Sequence, residues 1–265
     1  SPERAPVRHA GIGEGGYGPL GEAGPELALP PGFTYTVVSR SGQAMSDGIL
    51  TPGAFDGMAA FALANGNMRL IRNHENRDLP FTARLKGARE TAYDARAGAC
   101  VSSLELQLAD DGTPRLVRDF ISLNGTSINC AGGPTPWGSW LTCEETTHGK
   151  QMGWEQEHGY IFEIPATAER AVQAVPLKAM GRFVHEAVAV DPETGIVYET
   201  EDRQICGFYR FLPNERGVLQ AGGTLQMLAI TGRENYDTAD GQHVGEELPV
   251  HWVEIGNPDP GALWG

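Results

Sequence analysis

Positive charge is scarce in this chain: 20 Lys and Arg stand against 34 Asp and Glu, for a formal net charge of −14 over 265 residues. A phosphate-backbone partner needs a clustered basic face, so nucleic acid is excluded as a partner. Long hydrophobic runs are missing too, and none approaches the ~18 residues of a membrane helix. No segment sustains the 3.6-residue period of a long amphipathic helix. At most, Ala166–Ala174 allows about two helical turns. Cysteine is sparse: Cys100, Cys130, Cys143 and Cys206 permit two disulfides without demanding any. The chain starts at Ser1, not Met, which predicts either a mature protein freed of a leader or a scar left by recombinant expression.

What is abundant is glycine, with 35 residues, and proline, with 18. Together they favour many short strands joined by turns, hence an all-β fold. Three stretches repeat one pattern, an apolar run that ends in carboxylates. They are Leu70-Ile71-Arg72-Asn73-His74-Glu75, Trp140-Leu141-Thr142-Cys143-Glu144-Glu145 and Val197-Tyr198-Glu199-Thr200-Glu201-Asp202. If three strands are arranged radially, such ends converge, and converging carboxylates repel unless protonated or bound to cations. A soft Cys inside one cluster points to a mixed metal site.

Residues 1–30 lack periodicity and read as an extended arm on a core. Strand character begins with Phe33-Thr34-Tyr35-Thr36-Val37-Val38. Ala54–Ala64 is either a short helix or a strand, and Asn65-Gly66 is a hairpin signal leading into the first acidic strand. Asp191–Gly195 is a second turn before a strand. The segments His158–Pro165 and Cys206–Pro213 resemble each other: glycine, an aromatic-rich strand, then proline. Repeats of ~40–50 residues with several short strands are propeller blades. About four to five blades fit residues 31–265, so the expectation is an incomplete β-propeller.

The densest segment is Cys130-Ala131-Gly132-Gly133-Pro134-Thr135-Pro136-Trp137-Gly138-Ser139-Trp140-Leu141-Thr142-Cys143-Glu144-Glu145-Thr146. With Asp56–Phe61, Arg72–Asn76, Gly181–Ala187 and Tyr198–Arg203, it resembles the PhoX-type alkaline phosphatases, a secreted bacterial family. The resemblance runs from about Leu29 to the C-terminal end. It implies a six-bladed propeller when complete, with an iron(III)–calcium cluster in the funnel that hydrolyses phosphomonoesters. It implies export, hence a periplasmic or extracellular location. The blade count adds the expectation that a second polypeptide or a missing C-terminal segment completes the ring. On the family's motifs, Cys143 is the iron ligand. Glu144, Glu201 and Asp202 are the first carboxylate ligands, with Glu75, Glu186 and Glu157 behind them. Arg72 and Arg203 flank two of the clusters and are candidates for substrate phosphate, or simply pair with carboxylates.

The sequence departs from the family after Tyr93-Asp94, where Ala97–Ser103 replaces a Gly-Gly-Gly-Thr-Thr-type stretch, so one calcium ligand set differs. From the residues alone, Cys143 is either a disulfide partner, for example of Cys130, or a thiolate ligand. His74 and His185 each precede a Glu, and on a strand one member of each pair faces away. The same alternation turns Glu145 and Glu199 from their acidic neighbours. Two other functions fit the composition: a calcium-stabilised, non-catalytic binding propeller, or another metal hydrolase such as a lactonase or phosphodiesterase.

Overall fold

A computed structural model describes residues 16–22 and 24–261 of the chain. Residues 1–15, half of the expected arm, lie outside that range. Fourteen strands form three large antiparallel sheets and one two-stranded ribbon, and no α-helix occurs among the described residues. The ribbon pairs β1 (Gly21–Glu22) with β2 (Ala28–Leu29).

The first sheet runs in chain order through β3 (Phe55–Ala62), β4 (Met68–His74), β5 (Ala99–Leu108) and β6 (Pro114–Thr126). The second contains β7 (Asn129–Pro134), β8 (Ser139–Glu144) and β9 (Ile161–Pro165). The third contains β10 (His185–Val190), β11 (Val197–Glu201), β12 (Phe208–Pro213), β13 (Gly223–Ile230) and β14 (Val250–Glu254). Each sheet is a meander, as short hairpin links dictate.

Alternation within the strands builds the core in two layers. Trp140, Phe162 and Ile164 face Ile71, Val101 and Leu123 of the first sheet. Leu141, Cys143 and Ile161 face Val188, Val197, Phe211 and Leu225 of the third. The middle sheet is therefore apolar on both faces, and its strands read as nearly continuous hydrophobic runs. A smaller cluster of Met45, Cys100 and Ile121 closes the outer face of the first sheet. There Asp47 accepts from the Ile121 amide and Asp119 from the Ser46 amide, fastening the preceding loop.

Among the first strands of the three sheets, β7 packs against both β3 and β10. Their approach is close enough to need glycine. A Cβ on Gly57 would lie 2.8 Å from the Ala131 Cα, and one on Gly133 would lie 2.2 Å from the Val188 carbonyl oxygen. The sheets form no closed ring among the described residues.

Several expectations need correcting. Three large sheets replace about four to five blades, because β5 and β6 are long and the third sheet has five strands. The resembling segments hold β9 and β12, which end one sheet and sit third in the next, so they are not equivalent blade positions. Phe33–Val38 forms no strand, since β-branched residues without a neighbouring edge have no ladder to join. Residues 166–174 form no helix: the Val172 and Ala174 amides bond instead to Ser122 and Thr91 carbonyls. Ala54–Ala64 resolves as a strand, and the Asn65-Gly66 turn is formed with Gly66 at φ 83°.

Candidate metal centre

One geometric motif occurs three times. In each sheet the first strand carries a β-bulge directly after its opening pair: Phe55 opposite His74, Asn129 opposite Glu144, and His185 opposite Glu201. The residue after each opening position is Asp56, Cys130 and Glu186. The residue after each opposing position is Glu75, Glu145 and Asp202. A bulge re-aims a side chain at the end of a ladder. Here it turns one donor per sheet toward the place where the three inner strands meet.

The donors do meet. The Cys130 thiol lies 3.4 Å from Glu186 Oε1 and 4.0 Å from Asp56 Oδ1. Asp56, Glu75 and Cys130 offer ligand atoms all within 4.8 Å of one another, as do Cys130, Glu145 and Glu186. Glu145 in turn touches both Glu75 and Asp202. Arg77 caps the cluster, bonding to Glu75 and, at 2.6 Å, to Glu145.

The electrostatics are those of crowded carboxylates. Burial, then the Glu75 and Asp202 carboxylates, push Glu145 up to about 7, against the pull of Arg77. Burial raises Asp56, with Glu75 adding to it against a bond from the Gly57 amide. The Cys130 thiol is pushed up by burial, then by Glu186 and Asp56. Such a set fits bound cations. Carboxylate oxygens suit calcium, and a thiol among carboxylates suits a transition metal such as iron. Beside the cluster, an open cleft of about 470 Å³ is lined by Arg77, Glu145, Thr146, Asp202 and Arg203.

Of the residues expected from sequence, Glu75, Glu186 and Asp202 are brought into this cluster and Arg203 to its cleft. The others lie elsewhere. Cys143 is fully buried between the second and third sheets. Glu144 points inward, where its carboxylate accepts from the amides of Ser127, Gly159 and Tyr160 and from His158. Glu201 accepts from the Gly207 amide and the Tyr209 hydroxyl. Glu157 pairs with Arg182. Arg72 lies on the outer side of the first sheet, over the Phe55 ring at 3.9 Å. His74 and His185 are buried in core hydrogen bonds to Gly53 and Gly181 carbonyls, and burial lowers them to about 4 and about 3.

Asp56, Cys130, Glu145 and Arg77 were not singled out from sequence. Alternation did separate Glu144 from Glu145, but the two faces are reversed from the expected sense. A signal for the inner donors was present: Asp56-Gly57, Cys130-Ala131 and Glu186-Ala187 each set a metal-ligating residue before a small one. The small residue is needed where inner strands approach closely.

Fold and site define an all-β protein with a carboxylate–thiol pocket of metal-binding composition. The chain belongs to the alkaline phosphatase PhoX family, whose model matches residues 15–263. Membership carries phosphatase-type hydrolysis and metal dependence, in a secreted family. No curated protein and no solved structure gives a significant match to the chain. No helix among the described residues is long and apolar enough to cross a membrane.

Proposed function

We propose that this chain hydrolyses phosphomonoesters at a mixed iron(III)–calcium centre held by Asp56, Glu75, Cys130, Glu145, Glu186 and Asp202. The observation that carries the reading is the threefold repeat: each sheet delivers one donor from a bulged first strand and one from the end of its second strand. Bound there, the metals supply Lewis acidity, countering the charge that builds on phosphoryl oxygens during in-line displacement.

The chain's own groups have separate tasks. Arg77 and Arg203 line the cleft, where a guanidinium fork matches phosphate oxygens. Arg77 already bridges Glu75 and Glu145, so a substrate phosphate competes with those carboxylates for it. Few other cations are near, which disfavours substrates with a second phosphate. The cleft is open, so the alcohol portion of the ester is weakly held and its shape matters little. The thiol of Cys130 among the carboxylates disfavours a purely structural calcium site, which has no use for sulfur.

The outer face of the third sheet carries Tyr198, Phe208 and Trp252 side by side, with Arg210 over Trp252. We infer that a further sheet, from a second polypeptide or another chain segment, covers it and extends the propeller in a periplasmic or extracellular protein. The test is turnover by metal-replete protein of phosphomonoesters, diphosphates, triphosphates, phosphodiesters and lactones at neutral to alkaline pH. Monoesters are expected to be cleaved with little dependence on leaving-group shape. Turnover of diesters or lactones without monoesters would reject the substrate assignment and leave the metal centre standing.

A further inference from the structure

We propose that His158 is a positioning residue of this centre, acting through Glu144 to hold both Cys130 and Glu145 in place. The inference rests on the metal-centre reading above. His158 is fully buried, and so are its partners Glu144 and Asp94. Its Nδ1 lies 2.7 Å from Glu144 Oε1 and its Nε2 lies 3.3 Å from Asp94 Oδ2. Both ring nitrogens face carboxylate oxygens, so both donate, and the imidazole is a buried cation between two anions.

Glu144 and Glu145 are consecutive at the end of β8, so their side chains point to opposite sides. Glu145 enters the cluster. Glu144 enters the protein and there gathers two segments. It accepts from the Ser127 amide at 2.9 Å, in the turn between β6 and β7. It accepts from the Gly159 and Tyr160 amides at 2.8 and 3.1 Å, where the chain leads into β9.

The Ser127 bond matters because the next residue is strained. Ile128 has φ 52°, a left-handed conformation costly for a β-branched side chain. Such a turn persists only where its surroundings over-determine it. Here the Glu144 carboxylate holds the Ser127 amide on one side, and the Glu145 amide donates to the Ile128 carbonyl at 2.9 Å on the other. Two residues later the chain presents Cys130. The Glu144 carboxylate therefore sets the approach of both second-sheet donors, and His158 sets the Glu144 carboxylate.

Asp94 does a different job. It accepts from the amides of Arg96, Glu155 and Gln156, fastening the loop between β8 and β9. The two sides of His158 are thus separable by experiment. In His158→Asn the amide nitrogen sits near the place of Nδ1 and keeps the Glu144 bond. In His158→Gln it sits near the place of Nε2 and keeps only the Asp94 bond.

Calcium and iron are titrated into the metal-free proteins, and kcat and KM are measured on an aryl phosphate. His158→Gln is expected to weaken metal binding by about 10- to 100-fold and to lower kcat more than it raises KM. His158→Asn is expected to stay within a few-fold of wild type, although both variants melt lower in chelator. Equal losses of metal affinity in the two variants would make His158 a core histidine only and overturn the proposal. If His158→Gln does not fold, Glu144→Asp is titrated instead. It keeps the charge but withdraws the carboxylate by one methylene, and unchanged metal affinity there overturns the proposal equally. Wild-type protein that binds neither iron nor calcium overturns the metal centre itself, and the role of His158 with it.

Discussion

Cys130 and Cys143 sit on adjacent strands of one sheet and meet different surroundings. Cys143 packs with Leu141, Ile161 and Phe183, and burial followed by Glu199 pushes its thiol far up. Cys130 is half-buried among Glu186 and Asp56. A cation among those carboxylates favours thiolate at Cys130, as it does wherever sulfur ligates a metal. Cys130→Ser is therefore expected to lose iron and most turnover with its fold intact. Cys143→Ser is expected to keep iron and lose about 1–2 kcal/mol of stability, the cost of burying a hydroxyl among apolar groups. Metal analysis with urea unfolding of both variants decides, and iron lost from Cys143→Ser alone would return the ligand role to Cys143. Far from the centre, Glu105 on β5 offers an independent charge test. It accepts from Asn67, Asn65 and Arg118, and these bonds hold it down at about 2 from the usual 4.5. The folded value is below the unfolded one, so the stabilisation is complete above about 4.5 and fades as pH falls toward about 2. Glu105→Gln is expected to cost about 1–2 kcal/mol at pH 7, once solvent screening of the carboxylate is allowed for, and less at pH 3. Unfolding free energies with an equal cost at both pH values would show that the ionised form is not what stabilises.

At the scale of elements, the sequence made the ends of β4, β8 and β11 legible because each is an apolar run followed by carboxylates. Of the opposing donors, Glu186 was marked by the family's motifs, whereas Asp56 and Cys130 were hidden. Those two lie at the beginnings of β3 and β7, where the bulges break the simple alternation. The same motifs marked Glu75 and Asp202, while period-two reasoning put Glu144 on the side that Glu145 occupies. The absence of long helices was legible from missing periodicity. The fate of Phe33–Val38 was not, since strand formation needs an edge that local sequence does not reveal. The inner strands make a prediction at this scale. Gly133→Ala places a methyl against the Val188 carbonyl, 2.2 Å from the oxygen, so β7 and β10 must separate. That overpacking is expected to cost about 1–3 kcal/mol. It also moves Cys130 away from Glu186, so metal affinity should fall with it. A variant that is destabilised but binds iron and calcium normally would show that the inner-strand spacing does not set the cluster.

At the scale of the molecule, the stacking of the three sheets is carried by two apolar layers, one on each side of the middle sheet. Composition made the all-β class legible, but not the number of sheets, because strand length and strand count vary from sheet to sheet. The acidic cluster lies where the three sheets meet, so its charge bears on the whole assembly. Without cations, Asp56, Glu75, Glu145, Glu186 and Asp202 repel where the three sheets meet, and among the described residues Arg77 is the one cation shown bonded to them. The formal net charge of the chain is −14, so its overall balance does not offset this repulsion. Calcium that binds only the folded arrangement stabilises it by mass action, by about 2.7 kcal/mol at a hundredfold excess over Kd. For a chain of this length that corresponds to a melting temperature about 5–10 °C higher. Melting followed in chelator, and then against rising free calcium, should climb with the logarithm of calcium concentration. Magnesium should substitute poorly, because it demands tighter octahedral geometry and dehydrates reluctantly. Sodium chloride at equal ionic strength separates screening of the carboxylates from specific binding, since screening needs no particular cation. Melting that is indifferent to chelator and calcium, or equally raised by sodium chloride, would mean that the carboxylates form a solvated rim and hold no ion.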